Sequence, residues 1–174
     1  DAAGRPSMGF HADYDACREA FRQRATEADA TLTALPLQGP CWGGHGRGPA
    51  DRDGLTIDVA RLQSSEQDAS GKENVLCVHL SGVHGVEGFA GSAIQCAFLE
   101  EVASGAYKLP PRTTILLVHA VNPWGFKFGR RFNENNVDLN RNVVFSSEFA
   151  TLRTRAASAL FERVIGRFTP QQPW

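Results

Sequence analysis

His84 and Glu87 lie three residues apart in the run Ser81-Gly82-Val83-His84-Gly85-Val86-Glu87-Gly88, directly after an apolar segment. An imidazole and a carboxylate at that spacing, on a turn that leads into a helix, can converge on one ion. Zinc takes imidazole nitrogen and carboxylate oxygen at about 2.0–2.2 Å, so the two side chains must approach closely. Gly82, Gly85, Gly88 and Gly91 let the backbone bend there without Cβ clashes. A second piece, Asn122-Pro123-Trp124-Gly125-Phe126, follows the next apolar segment. A third is Arg130-Arg131 with the amide-rich run Asn133 to Asn142. Guanidinium groups suit bidentate capture of a carboxylate and stabilisation of an oxyanion. Singly, each piece has a plainer reading: a surface ion pair, a turn, a solvated loop. The three together, in order, carry the signal.

The elements that must position these residues follow from periodicity. Asp13 to Ala30 reads as a helix with Tyr14, Cys17, Phe21 and Ala25 on one stripe and Asp13 as its cap. Thr31 to Leu37 reads as a short strand, and residues 38–54 as a long Gly/Pro-rich loop. Gly54 to Arg61 alternates as a strand with Leu55, Ile57 and Val59 on one face. Asn74 to Leu80 is a near-continuous apolar run, expected as a strand buried on both faces, and Arg112 to Val118 as a second. Between them Phe89 to Ala103 reads as a helix that turns Ala90, Ile94, Ala97, Phe98 and Val102 inward, completing a βαβ unit. The turn after the first of these strands then lies where open α/β sheets bind ligands. Residues 119–147 show little periodicity, and a stretch of that kind in a compact domain is usually functional. Ser147 to Phe168 is expected as a last helix, with Phe149, Leu152, Leu160, Phe161 and Ile165 apolar.

Composition sets outer limits. The chain has 174 residues, 42% hydrophobic and 21% charged, enough for one packed domain. With 18 basic and 19 acidic residues the net charge is -1, which gives no electrostatic case for a nucleic-acid partner. No apolar run approaches the roughly 20 residues of a transmembrane helix. None of Cys17, Cys41, Cys77 and Cys96 forms a C-x-x-C pair, and Cys77 and Cys96 are expected as buried thiols. The chain opens on Asp1 and not on Met. A removed upstream targeting segment is therefore expected, and with it a place in an organellar, for example mitochondrial, complex.

Ser81 to Ser92, His119 to Phe126 and Arg130 to Asn142 together resemble the zinc metallocarboxypeptidase superfamily. The most similar branch is a carboxypeptidase-like family of unassigned function, mostly bacterial, related to the aspartoacylases and succinylglutamate desuccinylases. The resemblance implies an α/β fold of mostly parallel buried strands with flanking helices, here a partial one. It divides the chain into an irregular lead-in over 1–9, a truncated carboxypeptidase-like domain over 10–146, and a helix and tail over 147–174. It implies zinc as cofactor with His84 and Glu87 as metal ligands. Arg130 or Arg131 would polarise the scissile carbonyl, Asn140 and Arg141 would grip a substrate carboxylate, and Asp138 would support their loop.

The sequence also departs from that pattern. The third zinc ligand of the family is a later histidine and the general base a later glutamate. After Asn142 no histidine follows, and the acids there are Glu148 and Glu162, within the expected helix. His11, His45, His79 and His119 are the remaining histidines, none in a ligand's position. Half of such a sheet leaves a raw strand edge, for which other protein chains are expected as partners. Three functions stay open. The first is a non-catalytic remnant kept as an accessory subunit of a larger assembly. The second is the amino-terminal half of a zinc-dependent peptidase or amide hydrolase completed by another chain. The third is a carboxylate-binding module.

Overall fold

A computed structural model describes residues 9–37, 54–65 and 73–142. The mixed α/β class expected from sequence is observed. Helix α1 spans Tyr14–Glu27, strands β1 and β2 span Thr31–Pro36 and Thr56–Gln63, and β3 spans Val75–Leu80. Helix α2 (Gly88–Ala103), strand β4 (Thr113–His119) and the short helix α3 (Pro123–Lys127) follow. Single 3-10 turns occupy Gly85–Glu87 and Leu139–Arg141. Residues 38–53 of the expected loop 38–54 and the expected helix 147–168 lie outside the described residues.

The sheet runs β1-β2-β4-β3. Adjacent strands β3 and β4 are parallel and joined through α2, as the βαβ reading requires. The expectation of a mostly parallel sheet does not hold among the described strands, because β2 is antiparallel to both β1 and β4. Nor is β3 buried on both faces. It is an edge strand with all six residues exposed, so Cys77 is exposed while Cys96 is buried. An apolar run alone cannot distinguish a central strand from an edge strand that awaits a cover.

Both long helices pack on one face of the sheet. Asp13 caps α1 by accepting from the Ala16 N–H at 2.8 Å. The stripe Tyr14, Cys17, Phe21 and Ala25 is buried as its spacing predicts. Phe21 and Ala25 meet Cys96 and Leu99 of α2 over Ala60 and Leu62 of β2 and Ile115 and Leu117 of β4.

Two inward faces differ from the apolar pattern. On β2 the inward residues are Asp58, Ala60 and Leu62, so Ile57 and Val59 point the other way. The Asp58 side chain is fully buried and held by Arg22 at 2.7 and 3.0 Å, by Arg18 at 3.4 Å and by the Thr56 hydroxyl at 2.5 Å. Burial works to raise its carboxyl, but these donors outweigh it and hold the group below the ordinary value. On α2 the inward residues are Ser92, Ala93, Gln95, Cys96 and Leu99, while Ala90 and Ile94 are exposed. Gln95 spends its amide on the strand ends: Nε2 donates to the carbonyls of His79 and Val118 at 3.3 and 3.2 Å, and Oε1 accepts from the Ser81 hydroxyl at 3.0 Å. Buried polar groups satisfied in this way are invisible to a count of apolar spacings.

Candidate metal centre

The backbone that carries His84 is set by close packing. β3 ends at Leu80, and the ladder to β4 continues through Ser81 N–H to Val118 O (3.0 Å) and Asn122 N–H to Gly82 O (2.9 Å). His84 then precedes the 3-10 turn Gly85–Glu87, which feeds into α2. A Cβ on Gly85 would land inside the backbone of Gly125 and Phe126. A Cβ on Gly88 would come within 2.5 Å of the Phe126 ring, and one on Gly91 within 2.7 Å of Ser81 Cβ. Only Gly82, at φ +60, serves the bending role that sequence suggests for all four; Gly85, Gly88 and Gly91 serve contact. The second motif is thus the bed of the first. Its Asn122 caps α3 by accepting from the Gly125 N–H at 2.8 Å.

The His84 imidazole is buried and uses both ring nitrogens. Nδ1 lies 3.2 Å from Glu87 Oε1, and Nε2 lies 3.0 Å from Asp138 Oδ1. Asp138 Oδ2 in turn accepts from Arg131 Nε at 3.1 Å. Burial tends to raise the Asp138 carboxyl, yet the His84 and Arg131 hydrogen bonds prevail and hold it below its ordinary value. The Glu87 side chain is 67% exposed and open to a ligand.

The loop that delivers Asp138 is built by side chains folding back on backbone. Asn133 Oδ1 accepts from the N–H groups of Asn135 and Val137 at 3.0 and 2.9 Å. Asp138 Oδ1 accepts from the Asn140 N–H at 3.1 Å and caps the 3-10 turn. Asn142 Nδ2 donates to the Asp138 carbonyl at 2.8 Å. Asn122 Nδ2 reaches the Arg131 carbonyl at 3.4 Å, and the Arg130 N–H donates to Gly125 O at 2.7 Å, which ties the loop to α3. These amides explain the asparagine-rich composition as loop chemistry.

The sequence-derived residues therefore fall into two groups. His84, Glu87 and Arg131 are joined through Asp138 in one connected chain. Asn140 and Arg141 sit on the exposed turn that Asp138 caps. The Arg130 N–H donates to the Gly125 carbonyl, and the Arg131 side chain engages Asp138. The direct contact of Asp138 with His84 and the brace at Asn122 were not legible from spacing. Their available signals were an Asp two residues ahead of Asn140 and an Asn ahead of Pro123, both cap patterns.

The donor set can be tested against zinc. Two corners of a tetrahedron with bonds of about 2.0–2.2 Å lie about 3.4 Å apart. The Nδ1 to Oε1 separation of 3.2 Å meets that requirement. Asp138 on the opposite nitrogen is the carboxylate partner that metal-bound histidines usually have. Among the described residues no group of three or more His, Cys, Asp or Glu side chains is placed to hold a metal ion. His119 is fully buried and engaged by the Ser92 hydroxyl at 2.9 Å, and His79 by Gln95 at 3.1 Å; His45 lies outside the described residues.

No curated protein and no solved structure matches the chain. A family model described as a protein of unknown function (DUF2817) does match, over residues 10–169, a span that contains the His84–Glu87 turn, its bed and the Asp138 loop. The chain belongs to that family.

Proposed function

We propose that residues 81–142 are the amino-terminal part of a zinc-dependent amide or peptide hydrolase site of the metallocarboxypeptidase type. One observation carries the reading. When Nε2 of His84 donates its proton to Asp138, Nδ1 is an acceptor facing a carboxylate oxygen at 3.2 Å. Two acceptors at that distance need a cation between them, either a second proton or a metal ion. His84 Nδ1 and Glu87 hold the ion, and Asp138 fixes the ring. Bound zinc supplies an activated water and polarises a carbonyl. Arg131, anchored by Asp138, or Arg130 faces the developing oxyanion, and Asn140 and Arg141 grip a substrate carboxylate. The third ligand and the general base come from outside the described residues, and a partner chain pairing with the outer edge of β3, which no described strand covers, is one source.

The test is elemental analysis of the purified chain, dialysed against trace zinc, beside His84→Ala. About one zinc per chain, lost in His84→Ala, supports the site. Equal metal in both would sink it. It would leave the second reading, a non-catalytic chain kept as an accessory subunit of a larger assembly, which the exposed apolar edge strand favours. Arg141→Ala then separates catalysis from carriage: in a hydrolase or a carboxylate-binding module it weakens ligand affinity, and in an accessory subunit it leaves the assembly unchanged.

A further inference from the structure

Asp138 touches three parts of the candidate site at once. Its Oδ1 lies 3.0 Å from His84 Nε2 and accepts the Asn140 N–H at 3.1 Å, while its Oδ2 accepts from Arg131 Nε at 3.1 Å. Its backbone carbonyl also accepts from the Arg141 N–H at 3.1 Å, so the turn Leu139–Arg141 hangs on this residue by both side chain and backbone. The side chain is 14% exposed, so little water reaches it to replace a lost partner.

The His84 ring stands between two carboxylates, with Glu87 Oε1 at 3.2 Å from Nδ1 and Asp138 Oδ1 on the other side. A neutral imidazole donates from one nitrogen and accepts at the other. With its proton on Nδ1, the bare Nε2 faces Asp138 Oδ1 acceptor against acceptor, and the carboxylate must draw back. Drawing back takes Oδ1 away from the Asn140 N–H and Oδ2 away from Arg131. A metal ion on Nδ1 removes that alternative: the proton stays on Nε2 and Asp138 keeps its donor. The ring is thus a two-state element, and a ligand with preference for one state shifts the population toward it.

We propose that Asp138 is a positioning residue that couples the metal site to the carboxylate-gripping turn, so that zinc on His84 Nδ1 orders Asn140 and Arg141 and sets Arg131. The coupling rests on the zinc site proposed above and adds an order to its use, in which the metal prepares the turn for a substrate carboxylate. Linkage makes the effect reciprocal: a carboxylate held by the ordered turn tightens zinc by the same factor.

The experiment is amide exchange with water, read residue by residue by NMR on the full chain at about pH 8, with zinc and without it. Elemental analysis of the same sample reports zinc occupancy. The Asn140 N–H should exchange about fivefold or more slowly with zinc bound. The Asn135 N–H, held by Asn133 Oδ1 in the same loop, and the Gly105 N–H, held by Val102 O beyond the far end of α2, should change less than about twofold. In Asp138→Ala at saturating zinc the effect on Asn140 should vanish. If that variant takes up no zinc, the contrast between Asn140 and Asn135 in the unsubstituted chain decides. Bound zinc with Asn140 unchanged, or with Asn140 and Asn135 slowed alike, overturns the coupling and leaves the metal site standing. Slowing that persists in zinc-loaded Asp138→Ala also overturns it. A chain that takes up no zinc overturns both.

Discussion

Gly85→Ala tests whether the two motifs are held together backbone to backbone. The new Cβ would overlap the Gly125 carbonyl carbon and the Phe126 nitrogen, and no flexible side chain stands there to swing away. Gly85 does not adopt a left-handed φ, so the loss comes from volume and not from backbone strain. Relief requires that the His84–Glu87 turn and α3 separate. Overpacking costs about 1–3 kcal/mol where neighbours can adjust, and a clash between two backbones belongs at about 3 kcal/mol or above. For a domain of this size about 3 kcal/mol lowers Tm by about 6–12 °C. Urea denaturation followed by circular dichroism, with Val86→Ala as the exposed neighbour in the same turn, measures it. Val86→Ala should change stability by no more than about 0.5 kcal/mol. A loss below about 1 kcal/mol for Gly85→Ala, with the motif contact intact, would refute the packing argument.

Three further outcomes are expected. Asp58→Asn leaves Arg18 and Arg22 facing each other without their counter-charge, and should cost about 2–4 kcal/mol in denaturant melts, the arginines' partial exposure keeping it from the top of the range. His119, chiefly through burial, takes its proton at about 4 in the fold against 6.5 ordinarily. The unfolded chain therefore binds a proton that the folded chain refuses, and stability falls as pH drops from about 6.5 to about 4, by about 3 kcal/mol in all; urea melts at the two ends measure this, and His119→Gln should flatten the slope. Asp138→Asn should leave the melting curve within about 1 kcal/mol and weaken zinc binding about 10–100-fold by titration calorimetry, whereas equal affinity would remove Asp138 from the site.

Where a residue's role follows from its own chemistry, the sequence was legible. Asp13 caps α1, the stripe Tyr14–Ala25 is buried, and β3–α2–β4 is a parallel crossover. Where the role depends on a distant partner, it was not. Asp58 points inward only because Arg18 and Arg22 reach it from α1, and that pairing leaves no trace in strand alternation. Ile94 has the spacing of a core residue, yet α2 turns its Ser92–Gln95–Leu99 side to the sheet because Gln95 can satisfy the strand-end carbonyls. Three of the glycines were read as hinges, and the need for them lies in Ser81, Gly125 and Phe126. Asn122 was legible as a turn residue but not as the brace of Arg131.

The strand order imposes a sequence of assembly on the nascent chain. β2 has its pairing partners in β1 and in β4, and β4 is complete only at His119. Tyr14 of α1 packs edge-on against Phe126, and Phe21 stacks on His119. Up to β2 the described chain can lay α1 on Ala60 and Leu62 and pair β1 with β2, but Cys96, Leu99, Ile115 and Leu117, which complete that core, are made later. At about 5–20 residues per second that half waits on the order of several seconds with Phe21 and Leu62 only partly covered. Of the two pairings that β4 completes, that with β3 spans the shorter separation and closes before that with β2. Helix α1 is thus made well before the residues of α2 and β4 that complete its packing.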